Sequence, residues 1–97
     1  MFVRMIYTKM DRSKVSEARD FYNSEEISGV MRQQKGYRFN YLLESVDASG
    51  EVISILAWDS REDAEAYEQS GVYQHLIGTF RQYLVEPPEL KIYEVPE

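Results

Sequence analysis

Few side chains in this sequence could do chemistry, and most of those are aromatic. His75 is the one histidine, and histidine alone titrates near neutrality without help from its surroundings. It could serve as a general base toward an acidic phenol, or polarise a carbonyl. The chain also holds eight tyrosines and one tryptophan. Tyr7, Tyr41, Tyr67 and Trp58 are candidates to line a semi-polar pocket, because each adds a polar tip to a large apolar surface. Quinone or phenol oxygens are natural partners for such tips. Arg38 and Asn40 lie on the more polar side of their segment and could hold a carbonyl or carboxylate. A plainer reading stands beside each: packing for the aromatics, solvation or an interface for Arg38, Asn40 and His75. The catalytic group is not identified by type alone, with His75 and Tyr67 as the candidates.

Other chemistries are excluded by what the chain lacks. There is no cysteine, so disulfides and thiol catalysis are absent. A single histidine among scattered carboxylates has no metal-ligand spacing, and no cofactor is expected. No phosphate-binding glycine loop, nucleophile elbow or dinucleotide fingerprint occurs. The net charge is −6, from 17 acidic and 11 basic residues that are interspersed. Nucleic acid and anionic membrane surfaces both select clustered bases, so neither is an expected partner. No apolar run is long enough to span a bilayer. The first residues alternate as a strand does and lack the apolar block of a signal peptide, which makes cytoplasm the expected location.

The elements that must position these groups are well punctuated. Residues 2–9 alternate as a strand, with Phe2, Arg4, Ile6 and Thr8 on one face and Val3, Met5, Tyr7 and Lys9 on the other. Asp11 or Ser13 can cap a following helix whose stripe runs through Val15, Ala18, Phe21 and Tyr22. Asn23 and Glu26 have capping-box form, which predicts a break and restart there before Gly36 ends the segment. Tyr37, Phe39, Tyr41 and Leu43 then alternate with Arg38, Asn40, Leu42 and Glu44. A turn leads to a return strand over 51–58, and Asp59 or Ser60 caps the next helix. Ser70-Gly71 should interrupt that helix, Tyr73, Leu76, Ile77, Phe80 and Leu84 continue it at helical spacing, and Pro87-Pro88 forbids more. Leu90 to Val95 closes the chain as a strand. This order is βαββαβ: one α+β domain over 1–97, a ferredoxin-like antiparallel four-stranded sheet with two helices on one face.

Helices on one side leave the other side of the sheet uncovered, and that side is not polar. The strands at 2–9 and 51–58 carry large apolar groups on both faces. Leaving such a side chain in water forfeits about 1.5–3 kcal/mol, a heavy loss for so small a domain. A homodimer joined through the sheet face is therefore expected.

The stretch from Val52 through Trp58, Ser60, Ala64, Tyr67 and Ser70 to Tyr73 resembles the antibiotic-biosynthesis-monooxygenase-like family of the dimeric α/β-barrel superfamily. Phe21-Tyr22-Asn23 and the closing Leu90 to Val95 fit the same pattern, so the resemblance spans nearly the whole chain. It implies two protomers whose sheets meet in a barrel, each with a pocket between helices and sheet. The implied activity is a cofactor-independent monooxygenase, or a related oxidoreductase or isomerase, acting on a small aromatic, phenolic or quinone-like molecule. Tyr7, Asn40, Tyr41, Trp58 and Tyr67 would then be ligand-binding candidates. A non-catalytic dimer of the same fold, binding a small ligand or serving as an interaction module, is the alternative. The family's haem-degrading branch pairs a first-strand Asn with a helical Trp and an axial His. Here Met5, Tyr67 and Ile77 stand near or at those places, and haem degradation is disfavoured.

Overall fold

The computed structural model describes residues 1–96 as four strands, β1 (Phe2–Lys9), β2 (Tyr37–Glu44), β3 (Glu51–Trp58) and β4 (Glu89–Glu94), and three helices, α1 (Val15–Tyr22), α2 (Arg61–Glu68) and α3 (Gly71–Phe80). The strands form one antiparallel sheet in the order β2-β3-β1-β4. This is the expected ferredoxin-like arrangement. The central strands β1 and β3 pair from Phe2 opposite Trp58 to Lys9 opposite Glu51.

The inward face is where the core forms. Phe2 and Arg4 of β1 and Val52, Ser54, Leu56 and Trp58 of β3 are all buried there, beneath Ala18, Tyr22, Ile27, Met31, Ala64, Tyr67, Leu76 and Phe80. Trp58, Tyr22 and Tyr67 are the largest side chains fully enclosed. Trp58 and Tyr67 pack with ring centroids 5.2 Å apart, and Tyr37 meets Trp58 edge-on at 6.4 Å. Arg4 is the one charged residue in this layer, and Glu68 at the end of α2 answers it at 2.6 Å. Its guanidinium also lies 5.2 Å from the Tyr73 ring, so β1 is tied to both α2 and α3.

Local signals explain most boundaries. Ser60 is the cap of α2, accepting from the Asp63 backbone N–H at 3.2 Å, and α3 restarts after Ser70. Gly36 adopts φ +81, and a side chain there would collide with the Asp63 carboxylate. Three expectations need correction. Leu84 does not continue the last helix: α3 ends at Phe80, a tighter turn covers Arg81–Tyr83, and Leu84 is extended so that it bridges Met10. Asn23 and Glu26 form no capping box: Ser24 precedes a wide π turn, Glu25–Gly29, and its hydroxyl bonds back to the Phe21 carbonyl. Nor does Tyr37 share the face of Phe39, because the register shifts between them. Arg38 is the extra residue of this bulge, which turns Tyr37 inward beside Trp58.

Glu68→Ala would leave the Arg4 guanidinium buried without its counter-charge. Such a change is expected to cost about 3 kcal/mol, read as a lower urea midpoint, whereas Glu65→Ala on the exposed side of α2 should shift it little.

Candidate functional site

A narrow crevice opens between the sheet and α3. Its floor is Ile6 and Thr8 of β1, Leu42 of β2 and Ser54 of β3. Leu76, Ile77 and Phe80 of α3 form one wall, and Arg81, Leu84 and Pro88 surround the mouth. The enclosed space is about 20 Å³, room for roughly one water, so a ring-sized ligand must part the walls. The outer rim is pinned rather than loose: Leu84 bridges Met10, and the Val85 N–H donates to the Lys9 carbonyl at 2.9 Å.

The crevice is almost wholly apolar; apart from Arg81 at the mouth, its polar groups lie on the floor. The Thr8 hydroxyl is occupied by the Val52 carbonyl at 2.7 Å. Ser54 donates to the Tyr22 hydroxyl at 3.3 Å, and Tyr22 donates to the Tyr41 carbonyl at 3.4 Å. Next to Tyr22, Asn40 donates to Ser28 at 3.0 Å, and the Tyr37 hydroxyl bonds the Asn40 oxygen. The break after α1 and the bulge in β2 are what bring these groups together. Burial raises the Tyr22 phenol above its ordinary range, and burial raises Tyr67 further. Both are therefore neutral donors at physiological pH. Among the described residues, the Tyr67 hydroxyl, Trp58 Nε1 and Arg4 Nε are buried without a hydrogen-bond partner. All three are donors in one packed cluster, linked through Trp58–Tyr67 and through Tyr67–Tyr73 at 5.9 Å.

A model of the family described as antibiotic biosynthesis monooxygenase matches residues 1–78. The chain belongs to this family. No curated protein matches it significantly. Solved structures do. A Nitrosomonas europaea protein provisionally named an antibiotic biosynthesis monooxygenase is 20% identical, with TM-score 0.84 over 98% of both chains. Rv0793 from Mycobacterium tuberculosis is 19% identical, with TM-score 0.81 over 99% of this chain and 95% of that one. At those identities the likeness shows the shared fold.

Within this family member the candidate residues part company. Trp58, Tyr67 and Asn40 lie on the helix side of the sheet, around the inner cluster. Tyr7 and Tyr41 lie on the opposite face, where Tyr7 pairs with Ile53 and Tyr41 with Ile55. The sheet separates the two groups, so they cannot line one pocket. His75 is half exposed, 5.5 Å edge-on to Phe21 and 3.9 Å from Glu26. It does not line the crevice; Ile77 does. An apolar Ile77 at the ligand place and a surface His75 do not suit axial ligation of haem. Among the described residues no group of three potential ligands could hold a metal ion, and no helix is long and apolar enough to cross a membrane.

Sequence reasoning passed over Tyr22, Ser28, Ser54 and Arg81. Ser54 and Arg4 carried a usable signal: each is a polar residue at an inward position of an apolar strand. Such a residue must be satisfied inside, by the protein or by something bound.

The raised phenols set a pH dependence. In the unfolded chain a tyrosine ionises near its ordinary value of 10.0, but buried Tyr22 and Tyr67 hold their protons beyond it. The stability they contribute is complete below that value and is lost as pH rises through the folded-state values. Stability should fall above pH 10, and more shallowly in Tyr67→Phe. At pH 7 that variant should match or exceed the parent, since it removes an unpaired buried hydroxyl.

Proposed function

We propose that the protein is a monooxygenase that uses no bound cofactor and acts on a small aromatic, phenolic or quinone-like molecule. Its family membership supports this, and the crevice supports it most: apolar walls leading inward to the Ser54–Tyr22 hydroxyl pair. Such a slot strips water from a planar ring, and the Ser54 hydroxyl turns from Tyr22 to donate to one oxygen of it. No histidine or carboxylate lines the crevice. A substrate turned over here must therefore be acidic by itself, as an anthrone or hydroquinone is. Its anion gains from the Ser54 hydroxyl on the crevice floor. For an anthrone, one oxygen atom of O2 becomes the new ring carbonyl, and the other leaves as water with the two hydrogens of the methylene carbon.

The working unit in this reading is a homodimer. Tyr41, Leu43 and Tyr93 are each more than two-fifths exposed on the open sheet face, beside Met5, Ile53 and Ile55. A second copy would cover them.

The missing base favours a second reading, in which the same crevice binds an aromatic ligand without transforming it. Oxygen uptake with a panel of anthrones and hydroquinones separates the two. Turnover above the protein-free rate is expected, cut about tenfold or more in Ser54→Ala and unchanged in His75→Ala. Background rates throughout, together with thermal stabilisation by the same compounds, would leave ligand binding as the function. Light scattering should give about twice the 11.4 kDa protomer mass, and Tyr41→Asp with Leu43→Asp should return it to one protomer.

A further inference from the structure

Arg81 follows the last turn of α3, at the mouth of the crevice. It is exposed, and it also borders a second, shallower hollow on the outer side of α3, with Tyr73, Gln74 and Gly78. In a chain of net charge −6, arginines find carboxylates easily. Arg4, Arg19, Arg32, Arg38 and Arg61 each pair with an Asp or Glu. Arg12 makes no ion pair among the described residues, but it shares its hollow with Glu44 and Glu51. Arg81 has neither. No ion pair reaches it among the described residues, and neither the crevice nor the outer hollow is lined by any acidic residue.

A free guanidinium beside an apolar slot is a receptor for a planar anion. It presents paired N–H donors that match a carboxylate, and apolar surroundings weaken the competition from water. The floor of the slot carries the Ser54 hydroxyl, which donates to Tyr22 behind it. The slot is thus polar at its floor and its mouth and apolar between, with charge at the mouth only.

We propose that Arg81 determines specificity by binding an anionic group at the outer end of the substrate, so that the crevice takes aromatic carboxylates in preference to neutral aromatics. This rests on the crevice being the substrate site. A cation at this place also suits the negative end of α3, but lysine would serve that purpose equally. Only the planar fork distinguishes arginine.

Naphthalene-2-carboxylate and its neutral amide, naphthalene-2-carboxamide, are suitable probes, titrated by calorimetry into the parent protein and into Arg81→Gln, Arg81→Lys and Ile77→Trp. The parent should bind the carboxylate about tenfold more tightly than the amide. Arg81→Gln should erase that preference while leaving the amide affinity and the melting temperature in place. Arg81→Lys should keep only part of it, and Ile77→Trp, which fills the slot, should lose both probes. Equal affinity for the two probes in the parent, or a preference that survives Arg81→Gln, would overturn the role of Arg81 and leave the crevice as an aromatic site. Binding that survives Ile77→Trp, or no binding of either probe, would overturn the crevice reading and the role of Arg81 with it.

Discussion

The pleat of the two central strands constrains everything else in this molecule. Successive side chains of β1 and β3 point to opposite faces, and apolar groups stand on both. Three short helices can cover one face only. They enclose Trp58, Tyr22 and Tyr67 over the central strands but leave Leu90 and Ile92 of β4 exposed. The other face keeps Tyr41, Leu43 and Tyr93 in contact with solvent in the isolated chain. The same alternation divides the tyrosines: those on the helix side belong to an interior, and those on the open side belong to a surface.

The interior is where packing and chemistry meet. A core made only of hydrocarbon would be simpler to satisfy, yet this one contains Arg4, Ser28 and Ser54. Ser28 and Ser54 are bonded through Tyr22 and Asn40, and Arg4 is held by Glu68. Donors left unpaired near them carry a cost that apolar replacements would avoid. Their retention in so small a core is the physical reason for regarding this region as a site rather than as filler. The raised phenols belong to the same logic, since a low-dielectric interior keeps a hydroxyl protonated and therefore able to donate.

Two irregularities build that interior. The π turn after α1 carries Ser28 beneath the helix layer, and the bulge at Arg38 rotates Tyr37 inward. Without the first, Tyr22 and Asn40 would lack their link. Without the second, Tyr37 would sit on the open face beside Phe39 and Tyr41. Neither is visible to periodicity, which assumes a constant twist per residue.

Much of the frame was legible from local patterns. Alternation located the strands, Ser60 marked a helix start and Ser70-Gly71 the break between α2 and α3, because these signals act within a few residues of themselves. Helical spacing also separated His75 from the stripe of Leu76 and Phe80, and the exposed ring agrees. The tertiary structure decided which distant residues share a space. It put Tyr7 and Tyr41 on the far side of the sheet from Trp58 and Tyr67. It set Ser54 against Tyr22 and brought Arg81 to the mouth of the crevice. Those outcomes depend on strand order, register and the packing angle of α3, which no window of neighbouring residues encodes. Chemistry-bearing residue types could be named from the chain itself, but their grouping into a site required the fold.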